Sequence, residues 1–213
     1  MQPTLARSAN PPVSPLTFYG YDQTLQVDPL KAPPKRYDIL HVGHNYRRWR
    51  QVSTELLPAI EQIRDQLGEI GFIGLGWEPS HRDELRRLRI HTSAPVMYYD
   101  VIRTMNSARI NILTQRPLLL HLKHLTLKYF EIFCADTIPL LMIDRDHAEA
   151  VYGPAGRELV LCGDVATNLL DAILRPNHYM ALVAEVRRHL ITHYPYGQRV
   201  SELIAAMGDC TAR

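Results

Sequence analysis

Three stretches of this sequence set chemically capable side chains beside glycine or on one face of a helix. The first, Gly43-His44-Asn45-Tyr46-Arg47-Arg48-Trp49-Arg50, joins a glycine that lets the backbone approach a ligand to a new helical turn whose amides point outward and whose arginines add positive charge. Such a loop suits an anion, a phosphate group above all, with Gly43, Asn45, Arg47 and Arg48 as its contacts. It matches neither a G-x-G-x-x-G fingerprint nor a Walker A loop, so a solvated first helical turn would read the same way. In the second, Gly74-Leu75-Gly76-Trp77, two glycines at alternate positions permit close approach, and Trp77 either walls a pocket or packs on the core. The third runs from Lys128 to Leu140. Lys128 and Glu131 are three apart and share a helical face, and a carboxylate in so apolar a helix needs a donor, either a ligand's hydroxyls or Lys128 itself.

For these stretches to meet, the elements between them must deliver all three to one edge. YDILHVG is a short β-branched and apolar run closed by glycine, and RRWRQVSTELLPAIEQIRDQL after it has helical spacing. EIGFIGLGW is a second apolar run. VMYYDVIRTMNSA reads as helix, RINILT as strand, HLKHLTLKYFEIFCAD as helix and TIPLLMI as strand; ELVLC is a further strand candidate, and three helices close the chain. This alternation predicts an α/β fold, an open doubly wound (Rossmann-like) parallel sheet with helices on both faces. Ligands of such sheets bind outside the carboxyl ends of the strands, where Gly43 and Gly74 fall. Residues 1–36 hold seven of the 15 prolines and no period, and read as a leader or linker; residues 37–213 form the Rossmann-like domain.

Composition narrows the function classes. Over 213 residues, 46% hydrophobic and 22% charged exclude a disordered, collagen-like or coiled-coil chain. A net charge of +2 is too small to make nucleic acid or an anionic membrane the default partner. No apolar stretch approaches the roughly 20 residues of a membrane span. The N-terminus lacks signal architecture and the three cysteines are far apart, which places the chain in the cytoplasm. The histidine pairs His121/His124 and His189/His193 lack a third and fourth ligand, so no metal and no cofactor are expected. Arg82, Arg86, Arg87 and Arg89 alternate with Asp83 and Glu84 and read as a solvated helical face. No serine sits in a G-x-S-x-G elbow.

The order YDILHVG, GLGW, RINILT and KYFEIFCADTIPLL resembles the C-terminal, donor-binding domain of GT-B glycosyltransferases of group 1, in the CgeB-like (spore maturation protein-like) branch, over residues 37–207. The resemblance implies a single GT-B half that binds a nucleoside-diphosphate sugar for metal-independent glycosyl transfer. It implies that Glu131 accepts hydrogen bonds from the ribose hydroxyls, that Lys128 stands where the family has arginine, that the Gly43 loop faces the phosphates and that Asn111 lines the pocket. Asp136-Thr137 replaces the family's glycine, and Lys123 occupies the position of the first glutamate of the E-x7-E element. A GT-B enzyme works with two such halves, so the acceptor-binding half would come from a partner chain or a homodimer. No catalytic base is identified. A non-catalytic nucleotide-sugar binding or interaction module is the alternative.

Overall fold

A computed structural model describes residues 19–211; the first 18 residues of the expected leader lie outside the described residues. Among the described residues five strands form one parallel sheet: β1 (Tyr37–Val42), β2 (Ile70–Ile73), β3 (Ile90–Ser93), β4 (Ala108–Thr114) and β5 (Ile138–Met142), in the order β3-β2-β1-β4-β5. The register pairs Val42 with Ile73, Ile73 with Ser93, and Thr114 with Met142, so the strands end together. The further strand expected at ELVLC shrinks to a single bridge, Leu141 with Val160, and the fifth strand is instead β3, which begins at Ile90, the end of the charged stretch HRDELRRLRI.

The helices are α1 (Leu57–Ile63), α2 (Pro79–Arg87), α3 (Val101–Met105), α4 (Lys128–Cys134), α5 (Arg145–Tyr152), α6 (Pro154–Glu158), α7 (Val165–Leu174), α8 (Pro176–His193) and α9 (Tyr196–Thr211). Helices α1 and α7 pack together and α7 packs on β4, while α3, α4 and α8 pack among themselves and against β1, β4 and β5. The sheet is thus sandwiched, as an open doubly wound fold requires. No helix of the described residues is long and apolar enough to cross a membrane.

Three expected helices are shorter or more broken than their periodicity suggests, each for a local reason. The long one after β1 contains Pro58, which has no N–H to give to the fourth residue before it; Val52–Leu56 ahead of it winds as a π turn, with Leu57 N–H bonded to Val52 C=O. The helix expected over HLKHLTLKYFEIFCAD keeps only α4, with Lys123 at φ 49 ahead of it and a separate short helix at Pro117–His121. VMYYDVIRTMNSA keeps only α3, and Met97, Tyr98 and Tyr99 stay exposed. Helices α5 and α6 are additional; Asp144 starts α5 by accepting the His147 N–H.

Residues 19–36 run along the domain. Tyr21 is buried and bonds through its backbone to Tyr194 and Tyr196, Val27 N–H donates to Cys134 C=O, and Arg36 N–H donates to Ser107 C=O. These bonds matter for α4, whose last carbonyls would otherwise be buried without donors. Buried Arg187 of α8 donates to Phe133 C=O and Ala135 C=O at 2.8 Å each, and Tyr152 Oη donates to Tyr129 C=O at 3.1 Å. Helix α4, with Lys128 and Glu131, is therefore fixed along its length. Where the glycine was expected, Asp136 pairs with Lys35 at 3.0 Å and Thr137 Oγ1 donates to Arg109 C=O.

Candidate functional site

The carboxyl ends of β1, β2 and β4 and the start of α4 form one rim. At its centre Gly43 and Gly74 touch back to back: Gly43 N–H donates to Ile73 C=O at 2.8 Å, and a Cβ on Gly74 would overlap the Gly43 carbonyl. Gly76, at φ +84, turns the second loop so that Asn45 N–H reaches Leu75 C=O and Asn45 Nδ2 reaches Gly76 C=O at 3.1 Å. These glycines let the two loops zip together. Asn45 is consumed by that junction and is buried.

Of the two arginines in the first loop, Arg48 turns inward. Its guanidinium donates to His44 C=O, and its Nε is buried without a partner. Arg47 is exposed at φ 56. From α4, the Lys128 ammonium donates to Val42 C=O and lies 2.8 Å from where a Cβ on Gly43 would be. From the far side of β4 comes Arg116, its guanidinium 5.3 Å over the Tyr46 ring. Neither Arg48, Arg116 nor Lys128 has an ion-pair partner among the described residues.

The electrostatics report the same convergence. Burial, and then the Arg48 cation, bring Lys128 down from 10.5 to about 8, against the pull of Glu131. Burial and Arg116 bring Arg48 down to about 10. His44 is lowered by burial, Lys128, Arg48 and Arg116, and His41 is lowered to about 3 by burial and then by Lys128 and Arg48. Arg48 and Lys128, crowded together without a counter-ion among the described residues, resist their charge, and an anion beside them would relieve both. Glu131, one turn along α4, is half-buried, and its carboxylate forms no hydrogen bond with the described residues; burial raises its pKa, with Lys128 opposing. Its charge reaches Tyr98 in the loop after β3.

The rim thus gathers Gly43, Arg48, Gly74, Lys128 and Glu131. Two other expected contacts lie below it. Trp77 is 5% exposed, packed against Phe72, His41 and Trp49, so it presents no free ring face. Asn111 is 1% exposed in mid-strand, its amide donating to Met105 C=O at 2.7 Å and Thr137 Oγ1 at 2.8 Å. Two rim residues escaped the sequence reading of the phosphate site. Arg116 stands two residues after the RINILT strand, and a cation near a strand's carboxyl end was the available signal; His41, on β1, precedes Gly43 by two residues. A groove of about 500 Å³ lies to one side, lined by Tyr37, Ile73, Ser93 and Val96 among others, and contains none of the cations.

This architecture, a five-stranded parallel Rossmann-like sheet covered by helices with glycine-bearing loops at the carboxyl ends of its strands, is the fold of several solved glycosyltransferases. The β-glucosyltransferase of phage T4, solved with its UDP-glucose substrate, superposes with a TM-score of 0.59 at 11% identity over 80% of this chain and 48% of its own. A Thermobaculum terrenum O-GlcNAc transferase gives 0.58 at 15% identity over 86% of this chain and 38% of its own. AviGT4, a glycosyltransferase involved in avilamycin A biosynthesis, gives 0.50 at 13% over 87% and 54%. At these identities the likeness establishes the fold, and the chain spans about half the length of the structures it matches or less. No family model matches the sequence, and a search of the curated proteins finds no match.

Proposed function

We propose that this chain is the nucleotide-sugar-binding half of a glycosyltransferase, of the donor-binding, CgeB-like kind that its motif order resembles. The observation that carries the reading is the cluster of Arg48, Arg116 and Lys128 about the Gly43–Tyr46 loop, with no carboxylate of the described residues at ion-pair distance. A diphosphate supplies the missing charge, and the arginines offer it forked donors. Glu131 has only acceptors to offer and no present donor, which suits two vicinal ribose hydroxyls. Asn45, Gly76 and Trp77 then support the cradle from behind.

In transfer, the bond between sugar and diphosphate breaks and negative charge grows on the departing diphosphate. In this reading Arg48, Arg116 and Lys128, gathered beside the Gly43 loop, stabilise the leaving group as preorganised charge. On this basis the transfer runs without a metal, with the three cations in its place. A phage T4 β-glucosyltransferase structure with UDP and Mn2+ makes metal addition a necessary arm of the test. In this reading the base that activates the acceptor belongs to the other half of such an enzyme, for which a partner chain or a second copy is one source. Because the chain spans half of its structural neighbours, binding without transfer is the second reading.

A thermal-shift panel of UDP, GDP, dTDP, CDP and their sugars, with and without EDTA or Mn2+, tests both. At a hundred times its dissociation constant a ligand stabilises by about 2.7 kcal/mol, raising the melting temperature of a chain this size by about 5–10 °C. A shift with a diphosphate that survives EDTA supports the reading; no shift with any nucleotide sinks it. Release of free sugar from the donor by the isolated chain separates transfer from mere binding.

A further inference from the structure

One buried polar side chain beside this rim ties two strands of the sheet together through one ring nitrogen and leaves the other without a partner among the described residues. His41 is 2% exposed on β1, with its ring 5.5 Å from Phe72 and edge-on to Trp77 at 6.1 Å. Its Nδ1 lies 3.3 Å from Ile112 C=O, and since a carbonyl only accepts, Nδ1 carries the proton. Nε2 is then a bare lone pair, buried and without a hydrogen-bond partner. Such an atom is costly unless a donor comes to it.

A donor is near. A Cβ built on Gly43 would lie 3.6 Å from His41 Nε2 and 2.8 Å from Lys128 Nζ, so the lone pair and the ammonium border the same spot above a residue that has no side chain. An ammonium carries three donors, and Val42 C=O takes one. The charged and titratable groups facing Lys128 are Arg48, His41 and His44 from β1 and its loop, and Glu131 from its own helix; Arg116 acts on Arg48 and His44. Burial and the neighbouring cations keep His41 neutral at ordinary pH, so its lone pair is always available.

We propose that His41 is a positioning residue for Lys128, its Nε2 lone pair acting as the second acceptor that seats the ammonium over Gly43. Its role in ligand binding rests on the diphosphate reading above; the pairing itself does not. Gly43 is part of the device, because any side chain there would push the two nitrogens apart.

The test uses the whole chain and needs no nucleotide for its first arm. Lys128 is one of four lysines, with Lys31, Lys35 and Lys123, so side-chain NMR resolves its titration, assigned by its loss in Lys128→Arg. In His41→Phe, which keeps a ring and offers no acceptor, the Lys128 midpoint falls by about one pH unit; in His41→Gln, whose amide oxygen accepts, it stays within about 0.3 unit of wild type. UDP affinity at pH 8 drops about fivefold in the Phe variant and is unchanged at pH 6, where the lysine is charged in both. An unmoved midpoint in folded His41→Phe, or an equal fall in the Phe and Gln variants, overturns the proposal. If the Phe variant does not fold, wild-type imidazole nitrogen shifts decide: His41 Nε2 tracks the Lys128 midpoint if the two are paired, and a flat response across it overturns the pairing. Coupling without UDP binding removes the diphosphate reading alone, and UDP binding without coupling removes this proposal alone.

Discussion

Two arginine-rich regions of this molecule use the same residue types to opposite ends. On the outer face of α1 and α2, Arg87 meets Glu61, Arg86 meets Asp83 at 2.8 Å, and Arg89 meets Asp65 at 2.7 Å, all at exposed positions. At the rim, Arg48 and Lys128 are withdrawn from solvent, Arg116 stands over Tyr46, and none has an acidic partner at ion-pair distance among the described residues. The outer face is electrostatically complete and its pairs contribute little, as exposed ion pairs do. The rim is incomplete, and it carries a standing desolvation cost that a ligand would offset. Local charge density does not separate the two regions; partnership and burial do.

The sharpest way to break this contrast is Lys128→Met. If the rim is built for an anion, the variant loses about 30–100-fold in diphosphate affinity, the scale of one buried charge-assisted contact. It also gains about 1–3 kcal/mol in stability, because a buried cation without a carboxylate partner is replaced by an apolar chain of similar length. Calorimetric binding and a melting curve on the same sample check both halves. Loss of affinity together with loss of stability would mean that Lys128 is a fold residue.

The pH dependence follows with its sign fixed. The folded value of Lys128, about 8, lies below its ordinary 10.5, so in the folded chain the group prefers to be neutral. Below pH 8 it is charged folded and unfolded and the penalty is full; between 8 and 10.5 the unfolded chain holds the proton that the folded chain has released, and stability from this group rises. Binding runs the other way, falling by up to about tenfold per pH unit above 8 until the lysine's contribution is gone. Unfolding and UDP titration at pH 7, 8 and 9 should therefore move in opposite directions. In Lys128→Arg both trends flatten.

How much of this was legible in the sequence follows the same divide. The parallel sheet was, because YDILHVG, RINILT and TIPLLMI are contiguous apolar runs that leave little choice but buried strands. The Gly43 loop and the Lys128–Glu131 pair were legible as residue types at a strand end and on a helix face. What was not legible depends on which way a side chain turns. Arg47 and Arg48 are neighbours in sequence, and only the positive φ of Arg47 decides that Arg48 points inward. Asn111 carries the right chemistry, but the pleat aims it at Met105 and Thr137. Arg116 stands between the RINILT strand and the helix expected from His121, in a stretch that carries no period of its own.

A smaller effect sharpens the contrast within the rim. Glu131→Gln keeps the shape and half of the acceptor capacity, and removes the charge that supports Lys128. It should weaken UDP about three- to tenfold while leaving inorganic pyrophosphate nearly unaffected at pH 6.5, where Lys128 stays charged. Equal losses for both ligands would mean that Glu131 acts through Lys128 and not on the ribose.

The smallest expected effect comes from the complete region. Arg87→Ala removes one exposed partner of Glu61, and Glu61 then faces water, which solvates a lone carboxylate at almost no penalty. Nucleotide affinity should be unchanged at any salt concentration, because Arg87 sits on the outer face of α2 and already has a counter-charge. The salt series discriminates here: an ionic-strength dependence of UDP binding that weakens in Arg87→Ala would show that the outer face steers the anion toward the rim, and the division between a self-satisfied face and a ligand-seeking rim would have to be redrawn.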